Sequence, residues 1–290
     1  MSDQVKLGKY ADILMDRWFK RTFGREQAKR LMQLFLQALI PEREIAEISY
    51  EPQEHVNYTE DGKDIRLDMQ CRDANGNLFI VEVQLATQDT FYERAVYNSA
   101  LVIQEQLPNG AKEWNFAPMY FIGVLNFSMH KDTDQVLFRY RLREDTLGEV
   151  MTERVQYLFL EVPNCAKALT DDAQTLDNLC YALQNMAILK ERPAQMDGEL
   201  FELLFNSAEI ANFAPRELNE YLSDMETIRD RLSQLATAER AGIEKGRKEG
   251  REEGLEMGKL EVAKAMLANG IALEVIVSCT GLTEEQLKAL

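Results

Sequence analysis

Long apolar runs are missing from this 290-residue chain. No stretch approaches the ~20 residues of a membrane-spanning helix, and no charged-then-apolar leader opens it, so a cytoplasmic protein with no membrane partner is expected. Histidine is scarce too: His55 and His130 are the only two, which argues against a histidine triad or a zinc centre. The four cysteines, Cys71, Cys165, Cys180 and Cys279, are widely spaced and form no C-x-x-C pair. They read as reduced thiols rather than a disulfide framework. Positive charge is also short, with 33 basic against 49 acidic residues and a formal net charge of −16, whereas a nonspecific duplex binder presents many Lys and Arg to phosphates.

The charge is unevenly spread. Residues 1–40 carry eight bases (Lys6, Lys9, Arg17, Lys20, Arg21, Arg25, Lys29, Arg30) and four acids (Asp3, Asp12, Asp16, Glu26), eight minus four giving +4. Arg139, Arg141 and Arg143 stand at alternate positions, which puts them on one face of a strand. Contact with double-stranded DNA through these two patches is the expectation they raise.

Apolar residues make up 46% of the chain, enough for a full core and a smaller second unit. Residues 1 to about 165 alternate helical and strand patterns: helix 26–39, strands near 45–50, 64–72 and 78–85, helix 89–107, and strands near 118–126, 136–143 and 155–161. That order suits an α/β sandwich with a mixed sheet. Beyond, only helices are expected. One starts at Asp171-Asp172 and runs to about 190, Pro193 breaks it, and others start near 197 and at Pro215.

One hairpin concentrates the chemistry. Ile65 to Arg72 and Leu78 to Leu85 are β-prone arms flanking Asp73-Ala74-Asn75-Gly76-Asn77, and an Asn-Gly between such runs signals a turn. With Asn75-Gly76 as a two-residue loop, each face would mix charged and apolar side chains. A three-residue loop, Ala74-Asn75-Gly76 with Gly76 left-handed, instead sets Leu67 against Val83, Met69 against Val81 and Cys71 against Phe79. A slip of one residue moves every side chain to the other face, so this register is preferred. It also sets Arg66 against Gln84, Gln70 against Ile80, and Asp68 against Glu82. Two facing carboxylates repel. Three situations allow the pair: one acid protonated, both exposed and screened, or a divalent cation between them. Gln84 points to the same side as Glu82, so a neutral amide lines the same place.

Asp68 followed by a turn and Glu82-Val83-Gln84 resembles the PD-(D/E)XK nuclease superfamily, specifically the Rpn family of recombination-promoting nucleases and transposases. Other segments carry the resemblance: Asp16-Arg17-Trp18-Phe19-Lys20-Arg21-Thr22-Phe23-Gly24, a Leu-rich helix from Leu31 to Leu39, Phe91 to Tyr97, Gln106, Gly110, Pro118, Leu125-Asn126-Phe127, Phe159-Leu160-Glu161, Asp177 and Tyr221 to Asp230. Together they span nearly the whole chain. The resemblance implies a restriction-endonuclease-like mixed sheet flanked by helices, then an all-helical C-terminal region. It implies a metal-dependent DNA endonuclease associated with recombination or mobile elements. Asp68, Glu82 and the backbone carbonyl of Val83 would ligate Mg²⁺ (Mn²⁺ or Ca²⁺ as alternatives), Gln84 would position water or phosphate, and Asp16 would be a third acid. Arg94 and Tyr97, three apart on a helix, with Lys20 and Arg21, would contact substrate, and no nucleotide cofactor is implied. The ordinary alternatives are that Asp16 begins a helix and that Arg94 pairs with a structural carboxylate. Two positions depart from the pattern. Gln84 stands where the wider superfamily often has Lys, although Glu-x-Gln is common in this branch, and Val162-Pro163-Asn164-Cys165 replaces a Leu-Pro-Lys-Phe, so the role of that Lys is either absent or passes to Lys167.

Four segments are expected: a nuclease-like domain 1–165, a helical extension 166–238, a charged helix 239–264 and a small helix-turn-helix-like unit 265–290. In the third, Gly242, Gly246, Gly250, Gly254 and Gly258 recur every four residues among seven acids and seven bases. A long charged helix pairing with a copy of itself, giving a homodimer, is preferred there over a solvated linker, although each Gly costs a helix about 1 kcal/mol relative to Ala. In the fourth, Thr283-Glu284-Glu285-Gln286 fits a capping box, and a net charge of −2 over residues 270–290 favours protein contact over groove reading. The alternative to an endonuclease is a catalytically weak, nuclease-fold binding module acting through its helical tail.

Overall fold

A computed structural model describes residues 8–51, 69–86, 90–107, 110 and 113–289. The chain divides into two compact units, 1–221 and 222–290.

The first unit opens with helices α1 (Asp16–Phe23) and α2 (Lys29–Leu39), separated by one tight turn of helix at Glu26–Ala28. Strands β1 (Ile48–Tyr50), β2 (Met69–Asp73) and β3 (Leu78–Gln84) follow, then helix α3 (Phe91–Glu105) and strands β4 (Met119–Leu125), β5 (Leu137–Arg141) and β6 (Val155–Glu161). Helices α4 (Thr175–Asn185) and α5 (Glu199–Ala208) complete it, with the first two turns of α6 (Pro215–Ala268). The six strands form one sheet in the order β1-β2-β3-β4-β6-β5. It is mixed: β3-β4 and β4-β6 are parallel, and the other pairs are antiparallel. The expected α/β class and all-helical C-terminal region are both found.

The hairpin takes the three-residue-loop register. Met69 pairs with Val81, Gln70 with Ile80 and Cys71 with Phe79, and Gly76 is left-handed at φ +85°. The Asp73 carboxylate closes the turn, accepting from the backbone N–H of Asn77 at 2.9 Å and from its Nδ2 at 2.8 Å. Strand β3 is central and buried on both faces. Phe79, Val81 and Val83 enter one apolar cluster with α2 and α4; Leu78 and Ile80 enter another with Phe91, Ala95 and Val102 of α3.

The N-terminal motif owes its residue types to packing. Phe19 and Phe23 of α1 meet Phe35 of α2 at ring-centroid distances of 6.2 and 4.9 Å. Trp18 stacks on Phe213 at 5.0 Å, and Tyr221 meets it edge-on. Gly24 caps α1, and glycine is needed there because a Cβ would stand 2.7 Å from the Lys20 carbonyl oxygen and 3.1 Å from Met69 Sδ.

Two sequence expectations shift. Helix α4 starts at Thr175 rather than Asp171, because Gln174 and Asp177 form the capping box: the Gln174 N–H donates to Asp177 Oδ2 at 2.8 Å. Arg143 lies beyond β5, in an isolated bridge to Val150, so the three arginines do not share one strand. The Gly repeat is helical, as preferred from the sequence: it lies within α6, which runs unbroken from Pro215 to Ala268.

In the second unit, α6 is followed by a turn at Gly270, α7 (Leu273–Thr280), a left-handed Gly281 and α8 (Glu284–Lys288). Thr283 and Gln286 form the expected capping box. Ala263, Ile276 and Leu287 bury a small core there. Among the described residues no helix is long and apolar enough to cross a membrane.

Candidate active site

Glu82 lies on the half of β3 nearest its carboxyl end, on the face covered by α3. It is 3% exposed. Three features shape its surroundings. In the parallel register its neighbour on β4 is Gly123, and the next residue along that row, on β6, is Phe159. Gly123 is required: a Cβ there would lie 2.9 Å from both Phe159 Cδ1 and Phe91 Cζ, so the Phe91 ring occupies the space a side chain would take. From above, Asn98 of α3, itself 6% exposed, donates Nδ2–H to Glu82 Oε1 at 2.9 Å. Burying a carboxylate is costly unless it is hydrogen-bonded or charge-compensated, and Asn98 supplies one such contact.

Asn98 was not anticipated from sequence. It stands four residues after Arg94 and seven after Phe91, so it shares their helix face. Arg94 is half-buried beside it. Tyr97 is 57% exposed and points away from the core. Gln84 is half-buried at the end of β3, and Val83 faces the opposite apolar cluster. Asp68 lies outside the described residues, and so does Lys6. Among the described residues no group of three or more His, Cys, Asp or Glu is placed to hold a metal ion.

Asp16 and the basic patches have other partners. Asp16 starts α1 and pairs with Lys20 at 3.0 Å, one helical turn on. Arg21 is used inside the unit: Nε and Nη2 donate to Glu217 at 3.1 and 3.2 Å, Nη1 donates to the Ser207 carbonyl at 2.9 Å, and its guanidinium lies 3.8 Å from the Phe213 ring centroid. Arg25 joins the same carboxylate. Hydrogen bonds from Arg21 and then Arg25 hold Glu217 well below the ordinary carboxylate value, at about 2. Lys9 pairs with Glu209, Arg17 with Glu220, Lys29 with Glu26 and Arg30 with Glu199. Every described base of the N-terminal patch therefore faces an acid, and four of those acids, Glu199, Glu209, Glu217 and Glu220, come from the segment 199–220. Arg139 and Arg141 are likewise paired, with Glu42 and Glu153. Lys167 pairs with Asp134 at 2.7 Å.

A second buried acid shares the face of Glu82. Glu161 ends β6, two strands from Gln84 in one transverse row through Leu125, and is fully buried. Its Oε2 accepts from the backbone N–H groups of Met129 and His130 and from Asn164 Nδ2, at 3.1, 3.2 and 3.0 Å. Its Oε1 lies 2.6 Å from His130 Nδ1. Only the motif membership of Glu161 was visible in the sequence.

Comparison with family models places the chain. Residues 13–238 match the PD-(D/E)XK nuclease family transposase model, and residues 257–290 match the C-terminal HTH domain of the Rpn/YhgA-like nuclease family. The protein belongs to the PD-(D/E)XK nuclease family transposases. No curated protein and no solved structure matches it.

Proposed function

We propose that this protein is a metal-dependent DNA endonuclease. The observation that carries the reading is Glu82, a carboxylate buried at the carboxyl end of a central parallel strand, in a chain of nuclease family membership. The hairpin register expected from the sequence would set Asp68 against Glu82, and a divalent cation would remove the repulsion of such a pair. The donor chemistry suits Mg²⁺, with Mn²⁺ or Ca²⁺ as substitutes. An ionised carboxylate has about four acceptor sites, so Glu82 can accept from Asn98 and ligate a cation together. Asp68, Glu82 and the Val83 carbonyl would hold the ion. When bound, it lowers the pKa of its water and offsets charge on the phosphate.

The chain's own residues then have distinct tasks. Asn98 fixes the rotamer of Glu82, Gln84 orients a water or a phosphate oxygen, and Arg94 contacts the strand with Tyr97. Asp16, Lys20 and Arg21 serve the site only if α1 gives up its present ion pairs. Double-stranded DNA as partner is supported by the C-terminal HTH match. Within the 54-residue α6, the Gly stripe leaves open space at each Cβ position, which supports a homodimer through the C-terminal helices. The domain limits 1–165, 166–238, 239–264 and 265–290 and a cytoplasmic site of action belong to the same reading.

Supercoiled plasmid incubated with Mg²⁺, Mn²⁺ or Ca²⁺, beside an Asp68→Ala, Glu82→Ala double variant, tests it. Nicking or linearisation by the wild type alone supports the endonuclease. Intact plasmid in both samples favours the second reading, a nuclease-fold binding module, which the acidic charge and Gln84 recommend.

A further inference from the structure

Beyond Glu161 and His130 the hydrogen bonds continue. His130 Nε2 is 3.2 Å from the Tyr140 hydroxyl on β5, and that hydroxyl is 3.1 Å from the hydroxyl of Tyr92, in the first turn of α3. A chain of four side chains thus runs from a fully buried carboxylate to Tyr92, which is 42% exposed. Phe138 stacks on the imidazole with centroids 3.9 Å apart. The Tyr92 ring packs 5.6 Å from the ring of Phe159, which stands in the same transverse row as Glu82. Two strand spacings separate the rows' ends, about 10 Å.

The valences fix what the chain can do. Glu161 acts as acceptor, its Oε2 taking three N–H donors, and with Oε1 accepting likewise His130 Nδ1–H is the donor to it. With Nε2 unprotonated, Tyr140 O–H donates to it, Tyr92 O–H donates to Tyr140, and the outer face of Tyr92 offers only lone pairs. With Nε2 protonated each bond reverses: Nε2–H donates to Tyr140, Tyr140 donates to Tyr92, and the Tyr92 O–H turns outward. Burial and then the bond to Tyr92 push the Tyr140 phenol well above its ordinary value, so it stays protonated throughout. The titratable groups facing the imidazole are Glu161 from β6, Tyr140 from β5 and, through it, Tyr92 from α3. Phe138 adds no charge, and Lys131 and Asp132 follow His130 on its own loop.

We propose that Glu161, His130, Tyr140 and Tyr92 form a relay that presents the Tyr92 hydroxyl as a hydrogen-bond donor to a phosphate of the bound strand, next to the one at Glu82. Phosphate binding selects the reversed chain, so one proton passes from bulk water to His130 Nε2 on binding. Tyr92 touches the phosphate; Tyr140, His130 and Glu161 are positioning residues. The inference rests on the nuclease reading above.

His130 can be watched directly, because the protein has only two histidines. Protein labelled with ¹⁵N at its histidine rings is titrated with a short blunt duplex in Ca²⁺, for the wild type and for Tyr92→Phe, Tyr140→Phe and a His55→Gln assignment control. In the wild type the His130 Nε2 signal is expected to move to the protonated range on binding. Tyr92→Phe keeps the ring packing and is expected to bind about tenfold more weakly, the loss of one charge-assisted hydrogen bond. In both tyrosine variants the His130 signal stays where it is. Wild-type binding with an unmoved His130 signal, or a Tyr92→Phe variant that binds as tightly as the wild type, overturns the relay and leaves the nuclease reading standing. A wild type that neither binds nor cuts duplex overturns both.

Discussion

Asn98 Nδ2 donates to Glu82 Oε1 at 2.9 Å, joining the helix that covers the sheet to the buried carboxylate on its central strand. The contact makes Asn98 the residue through which α3 sets the direction of that carboxylate. Asn98→Ala removes one donor from a buried acceptor, and a loss of about 1–3 kcal/mol in unfolding free energy is expected. Urea denaturation with and without Mg²⁺ checks it: the proposal has the variant losing affinity for the ion as well as stability. Unchanged stability would mean that Glu82 gains nothing from this amide.

Gly123 has its own signature. An added methyl meets Phe159 and Phe91 at 2.9 Å, closer than carbon atoms pack. Gly123→Ala should cost about 1–3 kcal/mol by overpacking and shift the first turn of α3, on which Phe91 lies. Thermal unfolding gives the first quantity, and a crystal structure of the variant the second. A variant as stable as the wild type would show that Phe91 has room to move.

Glu217 links α6 to Arg21 of α1 and to Arg25 just beyond that helix, and its carboxyl sits at about 2 against an ordinary 4.5. A depressed carboxyl contributes stability that is full above the unfolded value and is lost as pH falls through 4.5 towards 2. Glu217→Gln should therefore cost about 1–2 kcal/mol near neutrality. The gap to wild type should close as acid protonates the wild-type group. Denaturation curves across that range check the sign, and a gap that widens in acid contradicts it.

The thiols should sort by burial. Cys71 and Cys180 are buried, Cys165 is intermediate and Cys279 is exposed. Burial pushes the Cys71 thiol up to about 12 and Cys180 well above its ordinary value, so neither forms thiolate at neutral pH. Brief alkylation of the native protein followed by peptide mass analysis should label Cys279 first, Cys165 slowly and the other two only after unfolding.

Much of this was legible in the sequence. The hairpin register followed from alternating apolar residues and from Asn75-Gly76, because both signals are local and a slip would bury Gln70 and expose Cys71. The partner of Glu82 was not legible, because Asn98 lies sixteen residues on and its approach depends on how α3 rotates over the sheet. The N-terminal basic patch misled for the same reason on a larger scale. Arg21 and Arg30 look free in the sequence, but their acids lie 196 and 169 residues away and reach them only through helix packing. The relay from Glu161 to Tyr92 draws on β6, a loop, β5 and α3, and no spacing rule joins those segments.

The central claim is that Asp68 and Glu82 together hold one divalent cation. Calorimetric titration of Mn²⁺ into the wild type, Asp68→Asn, Glu82→Gln and the double variant tests it, because Gln at 82 keeps an acceptor for Asn98 while removing the charge. One binding event is expected in the wild type, and each single variant should lose it as completely as the double does. The metal-free Glu82→Gln protein should be more stable than the wild type by roughly 0.5–1 kcal/mol, the repulsion having been removed. Mn²⁺ binding by Glu82→Gln at wild-type affinity would contradict the account.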